Sequence, residues 1–106
     1  MTISTSKSSY TDCYDLFDRA LESRKGIRTS VPDPGAGYHL RTRLHYARTL
    51  SRREAQEIYT EDHPAYGLSP YDPLRISAPR EAEGKWWVYI EPRAIQGEVE
   101  ELGAAE

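Results

Sequence analysis

The spacing of hydrophobic residues changes period along the chain, and each change marks an element. From Asp12 to Arg24 the apolar residues Cys13, Leu16, Phe17, Ala20 and Leu21 recur at i, i+3, i+4, i+7 and i+8, which places them on one side of a helix. Asp12 is placed to cap it, Asp15 and Asp18 lie near its positive end, and Arg24 and Lys25 lie at its negative end. Gly26 can take the left-handed conformation that stops it. The period then becomes two: Ile27, Thr29 and Val31 face one way and Arg28 and Ser30 the other, as in a short strand.

Pro32 to Gly37 holds two prolines and two glycines and reads as a break, because proline removes backbone donors and glycine loosens the chain. A phosphate-cradling loop is a weak reading here, since neither the GxxxxGK[ST] nor the GxGxxG spacing is present. The longest periodic stretch, Tyr38 to Tyr59, predicts a helix whose buried arc is Leu40, Leu44, Ala47, Ser51, Ala55 and Ile58. Residues 60–73 carry three prolines and a glycine and read as a loop that covers one edge of the core with Tyr66 and Tyr71.

Two alternating runs follow, 74–77 and 85–91, joined by a polar segment 78–84 as in a β-hairpin. In the second run Trp86, Val88 and Ile90 share the more aliphatic, core-facing side. Trp87 and Tyr89 then take the opposite face, beside Arg75 or Arg28 if those strands are neighbours, and they stand open if both helices lie on one side. The order helix, strand, helix, strand, strand predicts a small α+β domain with a three-stranded mixed sheet packed by helices. The strand-helix-strand unit is expected as a right-handed crossover of parallel strands, with the last strand added antiparallel. Residues 1–10 are expected to be a mobile arm, 11–93 the single domain, and 94–106 an acidic, frayed or disordered tail.

Composition narrows the class. At 106 residues the chain supports one core, and its single cysteine, Cys13, cannot close an internal disulfide. A reducing, cytoplasmic setting is expected. No apolar run has the length of a membrane span, and MTISTSKSSY lacks the apolar centre of a signal peptide. The formal charge of −3 hides a segregation: between residues 24 and 53 eight basic groups face only Asp33, and from 54 to 106 twelve acidic groups outnumber four basic ones. A basic binding surface with an acidic tail accounts for this, as do complementary surfaces that pair in a homodimer.

Within the basic segment Arg41, His45, Arg48 and Arg52 line up beside the buried arc, flanked by Arg43 and Arg53. No carboxylate stands within a helical turn of them until Glu54, so the row repels itself. A row that bears such a cost more often meets something anionic, although solvated surface arginine is the plain alternative. Enzyme signatures are weak. Cys13 lies on an apolar stripe with no neighbouring histidine, His39, His45 and His63 lack metal-ligand spacing, and the loop pair Asp62 and His63 is common by chance. No enzymatic activity, cofactor or metal is expected.

Nucleic acid is better supported, because counterion release rewards arginines on one surface and open aromatics can stack bases. The candidate residues are Arg41, Arg43, His45, Arg48, Arg52, Arg53 and Arg28 for backbone contacts, with Trp87 and Tyr89 as the aromatic face. Against this stand the absence of an RNP-like motif and a pI near 5.6. The alternative is a protein-interaction module that uses the same Tyr, Trp and Arg residues on an acidic partner surface.

The run from Leu21 to Ile76, with Lys25-Gly26-Ile27, LRTRLHYAR and Tyr66-Gly67-Leu68-Ser69-Pro70-Tyr71-Asp72-Pro73-Leu74, resembles short uncharacterised proteins encoded by tailed phages. The resemblance covers about half the chain and contains no catalytic or ligand motif. It implies an accessory protein of a phage or integrated element, acting on DNA, host machinery or a host defence complex, and it transfers no site residue.

Overall fold

The computed structural model describes residues 9–93, so the expectations for residues 1–8 and 94–106 lie outside the described residues. The elements are α1 (Thr11–Glu22), β1 (Ile27–Val31), α2 (Pro34–Ile58), β2 (Leu74–Ile76), β3 (Arg80–Ala82) and β4 (Lys85–Pro92). The domain is α+β, as the periodicities predict. Its sheet has four strands rather than three, and every pairing is antiparallel rather than mixed. β4 is central: β1 pairs along one side of it, and β2 and β3 pair with it elsewhere. β1 and β2 do run parallel, but β4 separates them. The crossover rule sets the hand of a connection between parallel strands, not which strands are neighbours.

The extra strand lies inside the segment expected to be a polar loop. Ile76 pairs with Ile90 and Arg80 with Trp87, so four steps along one chain match three along the other. That mismatch is a one-residue bulge between β2 and β3. Ser77 completes the ladder there: its amide donates to the Tyr89 carbonyl at 2.9 Å, its Oγ accepts from the Tyr89 amide at 2.9 Å, and its hydroxyl donates to the Ala78 carbonyl. Because strand faces alternate, the extra residue reverses parity. Leu74 and Ile76 point into the core, whereas Arg80, opposite Trp87, points to the other side. Glu83 and Gly84, with φ of 59° and 77°, form the tight turn from β3 to β4, which requires the left-handed region at both positions.

Cys13, Phe17 and Ala20 of α1 and Leu44 and Ala47 of α2 meet Leu74, Ile76, Val88 and Ile90 in one cluster. Since those sheet residues share a face, both helices cover the same side. Phe17, Leu44, Leu74, Val88 and Ile90 are essentially inaccessible, and burying each stabilises the fold by about 1.5–3 kcal/mol. Trp86, expected in this core, is only half-buried. It lies near the start of β4 opposite Val31, where a small cleft opens.

α2 begins at Pro34, four residues before the expected start. The Asp33 carboxylate accepts from the Ala36 amide at 2.8 Å, and Pro34 fits the first helical position because its missing N–H has no acceptor there. The two prolines therefore do not exclude a helix. At the other end Ile58, expected on the buried arc, is 64% exposed, because the helix outruns the sheet. α1 is preceded by Tyr10 rather than capped by Asp12, and Asp12 instead receives Arg43. Ser9 and Tyr10, counted with the arm, are held: Arg43 donates to the Ser9 carbonyl, and Tyr10 packs on Tyr46 and the core.

The connection from α2 to β2 is tied down as expected at Tyr71, which stacks on Phe17 at 4.7 Å and donates to Asp18. Tyr66 remains half-buried and outside the core cluster. Buried Ser69 and Ser51 share a 2.9 Å hydrogen bond that anchors the loop to α2. No described helix is long and apolar enough to cross a membrane.

Candidate nucleic-acid interface

The arginine row of α2 faces the chain's own acceptors. The Pro73 carbonyl accepts from the Arg93 amide, and the Ser77 amide donates to Tyr89. Residues 73, 75 and 77 thus form the hydrogen-bonded pairs of the ladder, and the carbonyls of Leu74 and Ile76 point to its free edge. Arg41 donates to the Ile76 carbonyl at 3.4 Å. Arg48 donates to Leu74 at 2.6 Å and Tyr71 at 3.0 Å, and Arg52 pairs with Asp72 at 2.8 Å. The helix therefore descends 41, 48, 52 as the chain beside it descends 76, 74, 72. Its arginines cover an edge that would otherwise invite pairing with another strand.

Arg48, expected at the centre of a solvated face, is buried at 4% exposure. Burial, then the charge of Arg52 and Arg93, lowers its pKa from the ordinary guanidinium value. Arg43, expected at the margin, makes a two-pronged pair with Asp12 at 2.7 and 3.1 Å, and that hydrogen bonding lowers the Asp12 pKa. Arg53 and His45 are exposed. One ring nitrogen of His45 nevertheless lies 3.4 Å from Arg48, and desolvation there, then the charges of Arg48, Arg41, Arg52 and Arg93, lowers its pKa. The acceptors that offset the row's repulsion come from residues 12 and 71–76. These are distant in sequence, so local spacing could not reveal them.

The other predicted residues come together on the sheet face that the helices leave bare. Directly opposed residues share a face, so the pairings Arg28 with Tyr89, Ser30 and Arg80 with Trp87, and Arg75 with Glu91 place all of these opposite the core. The Arg28 guanidinium lies 3.7 Å above the Trp87 ring, and that of Arg80 lies 4.2 Å above Tyr89. Arg28 also pairs with Glu83 at 3.0 Å and reaches the Tyr89 hydroxyl at 3.4 Å. Trp87 is fixed in turn by its indole N–H, which donates to the Ala82 carbonyl at 2.9 Å. The Lys85 ammonium lies 5.9 Å from the same ring.

The result is a layered surface: two aromatic rings anchored on β4, with exposed guanidinium planes over them. Such planes offer edge N–H groups to phosphate and a flat face to a base, and cation–π attraction to the rings beneath orients them. Sequence spacing identified Arg28, Trp87 and Tyr89 and set Arg75 beside them. Arg80 was missed because the bulge that turns it to this face leaves no periodic signal, whereas Lys85, two residues before Trp87 in the same expected strand, carried a readable alternation that was not used.

Cys13 is buried in the core, and burial pushes its thiol pKa up to about 11, as suits a packing residue. Among the described residues, no three His, Cys, Asp or Glu side chains come together as a metal site. No family model, curated protein or solved structure matches the chain.

Proposed function

We propose that this chain binds single-stranded nucleic acid across the open face of its sheet, with Arg28 and Arg80, stacked on Trp87 and Tyr89, as the central contacts. The observation that carries the reading is the coincidence of a sheet face that no described helix covers with that guanidinium-on-aromatic layer. Arg75 and Lys85 extend it, while Glu83 and Glu91 restrict the anions it accepts. Single strands are favoured over duplex because exposed bases can stack on flat guanidinium or aromatic planes. The α2 row plays a supporting part at most. Its exposed members, His45, Arg52 and Arg53, lie on a helix that packs on the sheet's other side, and Arg52 is already paired with Asp72.

The test is an anisotropy titration with single-stranded and duplex oligonucleotides of about a dozen nucleotides at several salt concentrations. With at most four cations in contact, affinity falls with salt with a log–log slope no steeper than about −3, at about −0.7 per phosphate on a single strand. Reversing Arg75 and Arg80 to Glu abolishes binding while the melting curve is kept. Equal affinity for duplex and single strand, or unchanged binding in that variant, overturns the proposal. The same guanidinium layer would also meet an acidic protein surface, and a chain that binds no oligonucleotide at low salt would point there.

A further inference from the structure

The two edges of the sheet are finished differently. On the β2 edge Arg41 and Arg48 donate to the carbonyls of Ile76 and Leu74. The other edge is β1. On β4 the main chain of Tyr89 faces β2, since its carbonyl accepts from the Ser77 amide, so by alternation Val88 and Ile90 turn theirs toward β1. They oppose Thr29 and Ile27, whose amides and carbonyls are therefore spent on β4. Those of Arg28 and Ser30 point outward.

The outward groups stop on either side. Gly26 spends its own on Ser23: its amide donates to the Ser23 carbonyl, and its carbonyl accepts from the Ser23 hydroxyl at 2.9 Å. Pro32, the next outward position after Ser30, has no N–H. Between them the main-chain groups of Arg28 and Ser30 meet no group of the described residues. Nor does the Arg28 side chain guard the edge, as charged side chains often do, because its guanidinium lies back over Trp87 and pairs with Glu83.

A strand that fits this edge offers matching donors and acceptors at alternate residues and needs none beyond them. β1 itself does so. Turned about a two-fold axis through Thr29, a second β1 sets Ser30 of each copy opposite Arg28 of the other, and each such pair exchanges both of its amide–carbonyl hydrogen bonds. An axis through Arg28 would oppose Ser30 to the occupied Gly26, and one through Ser30 would oppose Arg28 to Pro32. Thr29 is thus the centre that leaves no outward group unmet. On the core side the same register sets Thr29 against Thr29 and Ile27 against Val31 of the other copy. These residues are β-branched and half-buried, and such residues pair well across strands.

We infer that the chain forms a symmetric dimer by antiparallel pairing of β1 with β1 of a second copy, centred on Thr29. The pairing joins two four-stranded sheets into one and sets their open faces side by side. It needs no nucleic acid, so it stands or falls apart from the reading of that face. A contact through one short strand belongs to the weak end of interfaces, so the association depends on concentration.

The experiment is sedimentation of the full chain from about 10 µM to about 1 mM, over which the mass is expected to rise from 12.1 kDa toward twice that value. Ser30→Pro removes an outward amide at an exposed edge position where proline is tolerated, and is expected to keep the melting curve and stay monomeric. Thr29→Cys reads the register. Its thiols meet across the axis and are expected to close an intermolecular disulfide in oxidised glutathione, whereas Ser30→Cys, opposite Arg28, is expected to crosslink at least about tenfold more slowly. Cys13 does not compete, being inaccessible in the core. A chain that stays monomeric to about 1 mM, a folded Ser30→Pro that still dimerises, or equal crosslinking of the two cysteine variants overturns the inference.

Discussion

Arg48 shows how far one residue's role depends on contacts that its neighbours in sequence do not reveal. On helical spacing alone it belongs to a basic surface row, and its charge reversal would be tolerated. In the fold its guanidinium satisfies two carbonyls of the segment that leads into β2. Hydrogen bonds from a charged donor contribute about 1.5–3 kcal/mol, and buried acceptors left alone add to the loss, so Arg48→Ala is expected to cost about 3 kcal/mol in urea denaturation. Exposed Arg53→Ala serves as the control and should leave the urea midpoint unchanged. Equal midpoints for the two variants would mean that water replaces the Arg48 contacts at no cost.

His45 gives the same cluster a pH signature. Its pKa is depressed in the fold, while in the unfolded chain it stands near the ordinary value of about 6.5. Between those two values the unfolded state binds more protons, so stability falls as pH falls through about 6.5 and levels off below the folded pKa. Urea midpoints measured from about pH 7.5 down to about pH 5 should decline more in the native chain than in His45→Gln. Parallel declines would assign the effect to other groups.

Among the elements, strongly periodic ones were legible and those set by pairing were not. α1, β1 and the middle of α2 announced themselves through spacing, and Val88 and Ile90 were correctly turned inward. The start of α2 carried a readable signal, Asp33 followed by Pro34, which the density of prolines and glycines obscured. β3 had none to speak of: three residues beside Pro79, two of them charged, become a strand only because Trp87 and Lys85 lie across from them. The backbone around β4 makes a graded prediction. Gly26 has φ of 87°, and a Cβ there would collide with the Ile90 carbonyl, so Gly26→Ala combines left-handed strain with a clash against the central strand. Gly84 has φ of 77° and nothing within 4 Å of an added Cβ. Denaturation should therefore show a loss of about 1 kcal/mol for Gly84→Ala and about 3 kcal/mol or more for Gly26→Ala. Similar losses would show that β4 moves aside at no cost.

For the molecule as a whole, the sequence revealed that charge was segregated but not which surfaces would carry it. The eight basic groups of residues 24–53 do not form one patch: Arg43, Arg48 and Arg52 are turned to internal acceptors, and Arg28 joins Arg75, Arg80 and Lys85 from the acidic half to form the open face. The acidic half is dispersed as well: Asp72 pairs with Arg52, Glu83 with Arg28, and Glu91 stands opposite Arg75 on the open face. The core of Phe17, Leu44, Val88 and Ile90, packed and inaccessible, separates that face from α2. A nucleic acid seated on the open face then makes no contact with the exposed Arg53 of α2, and at physiological salt a charge beyond about 8 Å is largely screened. Arg53→Glu should therefore change single-strand affinity by less than about twofold at physiological salt, well under the tenfold that about 1.4 kcal/mol represents. Anisotropy titrations of that variant beside the Arg75 and Arg80 reversal check this. A loss of about tenfold or more in Arg53→Glu would show that the helix carries the contact, and the open face would no longer describe how this domain binds.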